Sequence, residues 1–181
     1  MANPRIFAPQ SMYTWSTRGL PWAGMPATSD PAVALGPEQL YAVIGAVAQG
    51  PSLDRVLPAI VSLLTDATAC HACFIYLREG DLLRMRAAST VFAHAVDRTV
   101  LGLDEGLCGW VATRRTPAFI RENALQDPRT KLVAELQEER FQSMIAVPLL
   151  DRDGEAIGVV ALHTEAPREF GREVVDFLVH V

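Results

Sequence analysis

Residues 141–164 read FQSMIAVPLLDRDGEAIGVVALHT. Two apolar runs, 144–150 and 156–162, flank the polar link Asp151-Arg152-Asp153-Gly154-Glu155. Both runs carry Ile or Val, and Gly154 offers the positive φ that a tight reversal needs. The pair predicts an antiparallel hairpin. Neither run alternates between apolar and polar residues, so both faces of the hairpin should be covered. One face suits helices. Function is expected beneath the cover of the other.

Outward from the hairpin, 73–78 and 82–89 read as strands around Glu79-Gly80-Asp81, and 98–103 as a third. Residues 91–95 fit neither pattern. Residues 107–113 read as a short helix with Gly109-Trp110 as a packing point. Then come an extended piece at 117–120, a polar loop at 123–127, a helix at 131–139 and a last helix from about Phe170. Upstream, Ser52 is placed to cap a helix with a broad apolar stripe of Leu53, Val56, Leu57, Ile60, Val61 and Leu64. Pro58 lies inside that stripe and should kink the helix or loosen its first turn. Pro37 opens an earlier helix, to about Gln49, with Leu40, Val43, Ile44 and Val47 on one face.

Residues 1–36 differ from the rest. They hold Pro4, Pro9, Pro21, Pro26 and Pro31 beside Phe7, Tyr13, Trp15 and Trp22. This is either a solvated leader or an arm that docks its aromatics on a groove, and it is expected to be dispensable for folding. The 181 residues thus suggest one domain, 37–181, plus the arm. With 50% hydrophobic and 20% charged residues the chain can bury a sizeable core. A net charge of −5 argues against direct nucleic-acid contact. No run reaches the roughly 18 apolar residues of a membrane span, and the N-terminus lacks the apolar core of a signal peptide. Three cysteines are too few for a disulfide framework. The expectation is a reduced, cytoplasmic protein with no membrane contact.

From residue 53 to 181 the chain resembles a GAF domain, the small-molecule sensory module of signalling proteins. The likeness lies in ordered pieces: ACFIYL at 72–77, GLCGWVA at 106–112, IRENALQDPR at 120–129, and EERFQSMIAVPL at 138–149 followed by Gly158-Val159-Val160. The resemblance implies an α+β fold in three layers. A central antiparallel sheet would carry the N- and C-terminal helices on one face. Short helices and loops, here 106–113 and 120–141, would cover a ligand pocket on the other. It also implies a regulatory role in signalling, in a two-component or transcription-regulatory protein. No output domain is legible, so a fragment, or a partner protein carrying the output, is expected.

If a ligand binds, Cys108, Trp110, Phe119, Phe141 and Met144 are candidates for apolar walls, and Asn123, Asp127, Arg129 and His163 for polar contacts. The sequence leaves open whether Phe74 and Tyr76, or Cys73 and Ile75, face the pocket. Cys108 lies in Gly-Leu-Cys-Gly, similar to a Gly-Val-Cys-Gly segment of the GAF-type free methionine sulfoxide reductases. Those enzymes also carry a reactive cysteine in the pocket loop, where 120–141 has none. The reductase is therefore a second alternative, and no complete catalytic set is expected. Cys70 and Cys73 would need two further ligands to hold zinc and read as small apolar fillers. The cyclic-nucleotide pattern of the family cannot be placed, a covalent bilin lacks its cysteine, and haem would have to use His163 or His94. No cofactor is assigned. The other alternative is a ligand-free dimerisation or interaction module. A homodimer is expected through the terminal helices, where Val174, Phe177, Leu178 and Val181 recur at helical spacing.

Overall fold

The computed structural model describes residues 52–180. The arm at 1–36, the expected helix at 37–49 with its stripe, and Val181 lie outside the described residues. Helix α1, Leu53–Thr68, precedes strands β1, Ala72–Glu79, and β2, Leu82–Ala88. A 3-10 turn, Thr90–Ala95, occupies the stretch that fitted neither pattern. Strand β3, Val100–Gly102, helix α2, Gly106–Arg114, and strand β4, Ala118–Ile120, follow. The closing hairpin is β5, Ser143–Leu150, with β6, Ala156–Thr164, and α3 is Arg172–His180. The described strands form one antiparallel sheet in the order β3-β2-β1-β6-β5-β4.

The hairpin forms as its residues dictate. Gly154 has φ +80 and donates its amide to Asp151 O at 3.1 Å. Asp151 Oδ1 accepts the amides of Asp153 and Glu155, each at 2.9 Å, so the carboxylate holds the link from inside. β6 then pairs with β1, Ala72 opposite His163 and Tyr76 opposite Val159, which places the hairpin in mid-sheet and explains its unbroken apolarity.

Strand parity divides the core in two. Cys73, Ile75, Ile145, Val147, Val160 and Leu162 face α1 and α3, where Leu57, Val61, Leu64, Val174 and Leu178 bury them. Phe74, Tyr76, Leu83, Met85, Met144, Ala146, Val159 and Ala161 face α2 and the segment between β4 and β5. The open question of register is thereby decided: Phe74 and Tyr76 face the cover. A bulge in β1–β2 keeps both faces apolar. The register steps from Ile75 opposite Ala87 to Tyr76 opposite Met85, which leaves Arg86 over. Its guanidinium reaches Asp54, Glu79 and Asp97 at the sheet edge.

Two local expectations are corrected. The Ser52 side chain caps nothing; its carbonyl accepts the amides of Arg55 and Val56 instead. Pro58 lies inside α1 with its ring exposed and, having no amide hydrogen, leaves one carbonyl of the first turn without its helical donor. Residues 131–139 are not a helix but two 3-10 turns, Ala134–Leu136 and Glu138–Arg140. Gln137 between them is left-handed at φ 48, and that break prevents a continuous α-helix.

Candidate functional site

Helix α2 reaches the sheet because Gly109 lets it. A Cβ there would meet Gly102 O at 2.5 Å and Leu103 O at 3.0 Å. Thr113 Oγ1 donates to Leu103 O at 2.7 Å and fixes the other end of the contact. This close approach lays Leu107, Cys108, Val111 and Ala112 against the covered face of the sheet. Leu136 and Phe141, both fully buried, complete the cover from the 3-10 segment.

Beneath lies an aromatic cluster. Phe74 stands edge-on to Phe92 at 5.3 Å and to His163 at 4.9 Å. Phe141 lies 5.0 Å from His163 and 6.2 Å from Phe92. His163 comes from β6, between Ala72 and Met144. It is 1% exposed, and its Nδ1 has no hydrogen-bond partner. Burial alone pushes its pKa down to about 3, so the imidazole is neutral over the physiological range.

Toward the other end stand Tyr76, Cys108 and Glu138. Glu138 is the one buried acid among the described residues. Its Oε2 accepts the Val133 amide at 2.8 Å, which closes the short loop between them. Desolvation outweighs that hydrogen bond and, with the neighbouring Glu139 charge, raises the carboxyl to about 7. Burial pushes the Tyr76 phenol and the Cys108 thiol well up, and the Glu138 charge pushes both further. The Cys108 thiol is therefore held protonated.

The candidates read from the sequence divide into three groups. Cys108, Phe141, Met144 and His163 come together on the covered face. Trp110, Asp127 and Arg129 gather at its rim. Arg129 chelates Asp127 with contacts of 2.8 and 2.7 Å and lies 5.5 Å over the Trp110 ring, and Arg114 lies 5.8 Å from the same ring. The guanidinium holds the Asp127 carboxyl below its usual range. Asp127 and Arg129 thus staple their own loop. Phe119 and Asn123 belong to neither group. Phe119 packs on the terminal-helix side, because Ala118 and Ile120 take the inward positions of β4. Asn123 is exposed and left-handed at φ 53, where it starts the turn Ala124–Gln126. Tyr76, Phe92 and Glu138 were missed. Tyr76 awaited the register, and Glu138 was hidden inside the segment 131–139 read as a helix.

Residues 121–131 hang on one buried side chain, Ala124, whose amide donates to Gln142 O at 3.1 Å. Amide exchange there is expected to be faster than in β5, which is paired on both sides. Equal protection in hydrogen-exchange mass spectrometry would contradict this.

The chain has clear relatives. Residues 50–181 match a family model described as a GAF domain. A phosphoenolpyruvate-dependent phosphotransferase system protein of Escherichia coli (strain K12) is 27% identical over 119 residues, 63% of this chain. The match spans only 15% of that protein's length. The GAF domain of a phosphoenolpyruvate-protein phosphotransferase from Coxiella burnetii superposes with a TM-score of 0.70 at 23% identity, covering 79% of this chain and 88% of that one. A free methionine-R-sulfoxide reductase from Neisseria meningitidis, in complex with its substrate, gives 0.68 at 22% identity, covering 84% and 86%. At these identities the structural likenesses speak for the fold.

Proposed function

The chain belongs to the GAF domain family, and from that premise we propose that it is a sensory module that binds a small molecule on its covered face. The observation that carries the reading is the composition of that face. An acid, a phenol and an imidazole are buried in an apolar core, under a cover of one short helix and 3-10 turns. Buried polar groups without full hydrogen bonding cost stability, and in native proteins such groups concentrate at functional sites. The domain binds rather than performs thiol chemistry on this reading. Cys108 is the one cysteine facing the cover among the described residues, and it is held protonated, whereas a reductase needs a thiolate and a resolving thiol.

Signal leaves by the terminal helices. The Ser143 hydroxyl donates to Arg121 O at the start of the cover and accepts the Arg168 amide at 2.7 Å. Arg168 Nη1 donates to Thr68 O at 2.6 Å, at the end of α1, and its guanidinium lies 5.4 Å over Phe170, just before α3. A shift of the cover thus bears on both helices through one node. The working unit is a cytoplasmic homodimer through those helices. Val174 and Leu178 are used on the chain's own sheet, and Phe177, half-buried against the same core, and exposed Leu53 are what α3 and α1 offer a second copy. The output is supplied by another domain or partner, of the phosphotransferase kind if the E. coli likeness extends to it. No helix among the described residues is long and apolar enough to cross a membrane.

Native mass spectrometry of the purified protein tests both parts. A dimer carrying a small molecule is the expected species, with a melt that falls when the molecule is removed. A ligand-free dimer that no small molecule stabilises would favour the interaction module instead. A monomer at micromolar concentration would remove the dimer.

A further inference from the structure

We propose that the covered face takes a small organic cation, an amine with a short apolar body, whose ammonium pairs with the Glu138 carboxylate. The inference deepens the ligand-binding reading and rests on it. Glu138 is buried with one oxygen committed to the Val133 amide. Tyr76 from β1 and Cys108 from α2 are near enough to feel its charge, and Glu139 stands beside it on its own turn. None of these is a cation, and among the described residues no lysine or arginine is fully buried on either face. An anionic ligand would add a second negative charge with nothing to offset it. An ammonium supplies the missing counter-charge and three donors.

The walls agree with that charge. Phe74, Phe92 and Phe141 belong to the same buried cluster as Tyr76 and Cys108, and aromatic rings attract a cation once water is excluded. The unpartnered Nδ1 of His163, 99% buried, is a second polar point on the same face for the ligand's far end. Entry is through the segment that bears Glu138. That segment is two single turns joined at left-handed Gln137, tied to the 3-10 turn Thr90–Ala95 by the His94 Nε2 to Glu135 O contact at 3.1 Å. Its movement uncovers Glu138 without unfolding a long helix.

The test uses two amines, isobutylamine and 2-phenylethylamine, with the alcohols and carboxylates of the same skeletons. Thermal stabilisation by an amine and not by its alcohol or acid is the expected result. The apparent affinity should weaken about tenfold per pH unit below about pH 7, because the proton competes for Glu138 while the amine stays charged. Glu138→Gln keeps an acceptor for Val133 and should abolish the effect. If that variant does not fold, the pH dependence of the unmodified protein decides. Stabilisation by neither amine, equal stabilisation by the alcohols, a flat pH dependence, or persistence in a folded Glu138→Gln would each overturn the proposal. A carboxylate that stabilises, or a neutral or anionic molecule carried through purification, would overturn the cation while leaving ligand binding standing. No bound molecule and no stabilisation by any compound would remove both.

Discussion

Glu138→Gln is expected to stabilise the ligand-free domain by about 2 kcal/mol at about pH 8 and to destabilise it by about 1 kcal/mol at about pH 4. The carboxyl is raised from 4.5 to about 7 by burial. A group whose folded pKa lies above its unfolded one favours folding most below the unfolded value, and that contribution is lost as pH rises through the folded value. The loss here runs from 4.5 to about 7, about 3 kcal/mol at 1.36 kcal/mol per unit. Glutamine removes the charge, keeps the acceptor for Val133, and leaves amide hydrogens that cost about 1 kcal/mol when unpaired. His163 works in the opposite sense. Its pKa falls from 6.5 to about 3, so its contribution is full above 6.5 and is lost as pH falls toward 3, about 5 kcal/mol in all. Between 4.5 and 6.5 the two slopes oppose each other, and the unmodified protein should show a nearly flat profile there. Glu138→Gln should expose the His163 slope, a gain of about 1.4 kcal/mol per pH unit, in denaturant melts across that window. A variant profile parallel to the unmodified one would show that Glu138 is not desolvated in the folded state.

Gly109→Ala is expected to destabilise the domain by about 3 kcal/mol, against the intrinsic preference of a helix for alanine by about 1 kcal/mol. The added methyl would lie 2.5 Å from Gly102 O and 3.0 Å from the Leu103 carbonyl. Both are backbone, so α2 must move off the end of β3, taking Cys108, Val111 and Ala112 with it. Gly154→Ala is the control. Its φ of +80 is strained for alanine, but no atom lies within 4 Å, so a cost of about 1 kcal/mol is expected. A stabilised Gly109→Ala would mean that α2 does not rest on the β3 backbone as described. The same variant should weaken any ligand effect, because it displaces one wall of the covered face.

Features that are local or set by composition were legible from the residues directly. Gly154 and the acidic link settled the hairpin, and unbroken apolarity in both runs settled that it is covered twice. The Gly109-Trp110 packing point was legible because a glycine inside a short helix needs a reason. The ordered pieces of the family resemblance supplied the layers. The parity of the sheet was not legible. Cys73, Phe74, Ile75 and Tyr76 are all apolar enough for either side, and only the pairing of β1 with β6, Ala72 opposite His163, chose between them. Phe119 was misplaced for the same reason, since one residue of slip turns a side chain through the sheet. Glu138 was hidden because a charged residue in a charged stretch reads as solvated. Its burial follows from Gln137, whose left-handed backbone turns the segment back onto the sheet, and from Tyr76 and Cys108, which the fold brings to meet it from distant parts of the chain. Local chemistry is written in neighbours, whereas desolvation depends on which distant surfaces close over a group, and that was decided by the tertiary structure alone.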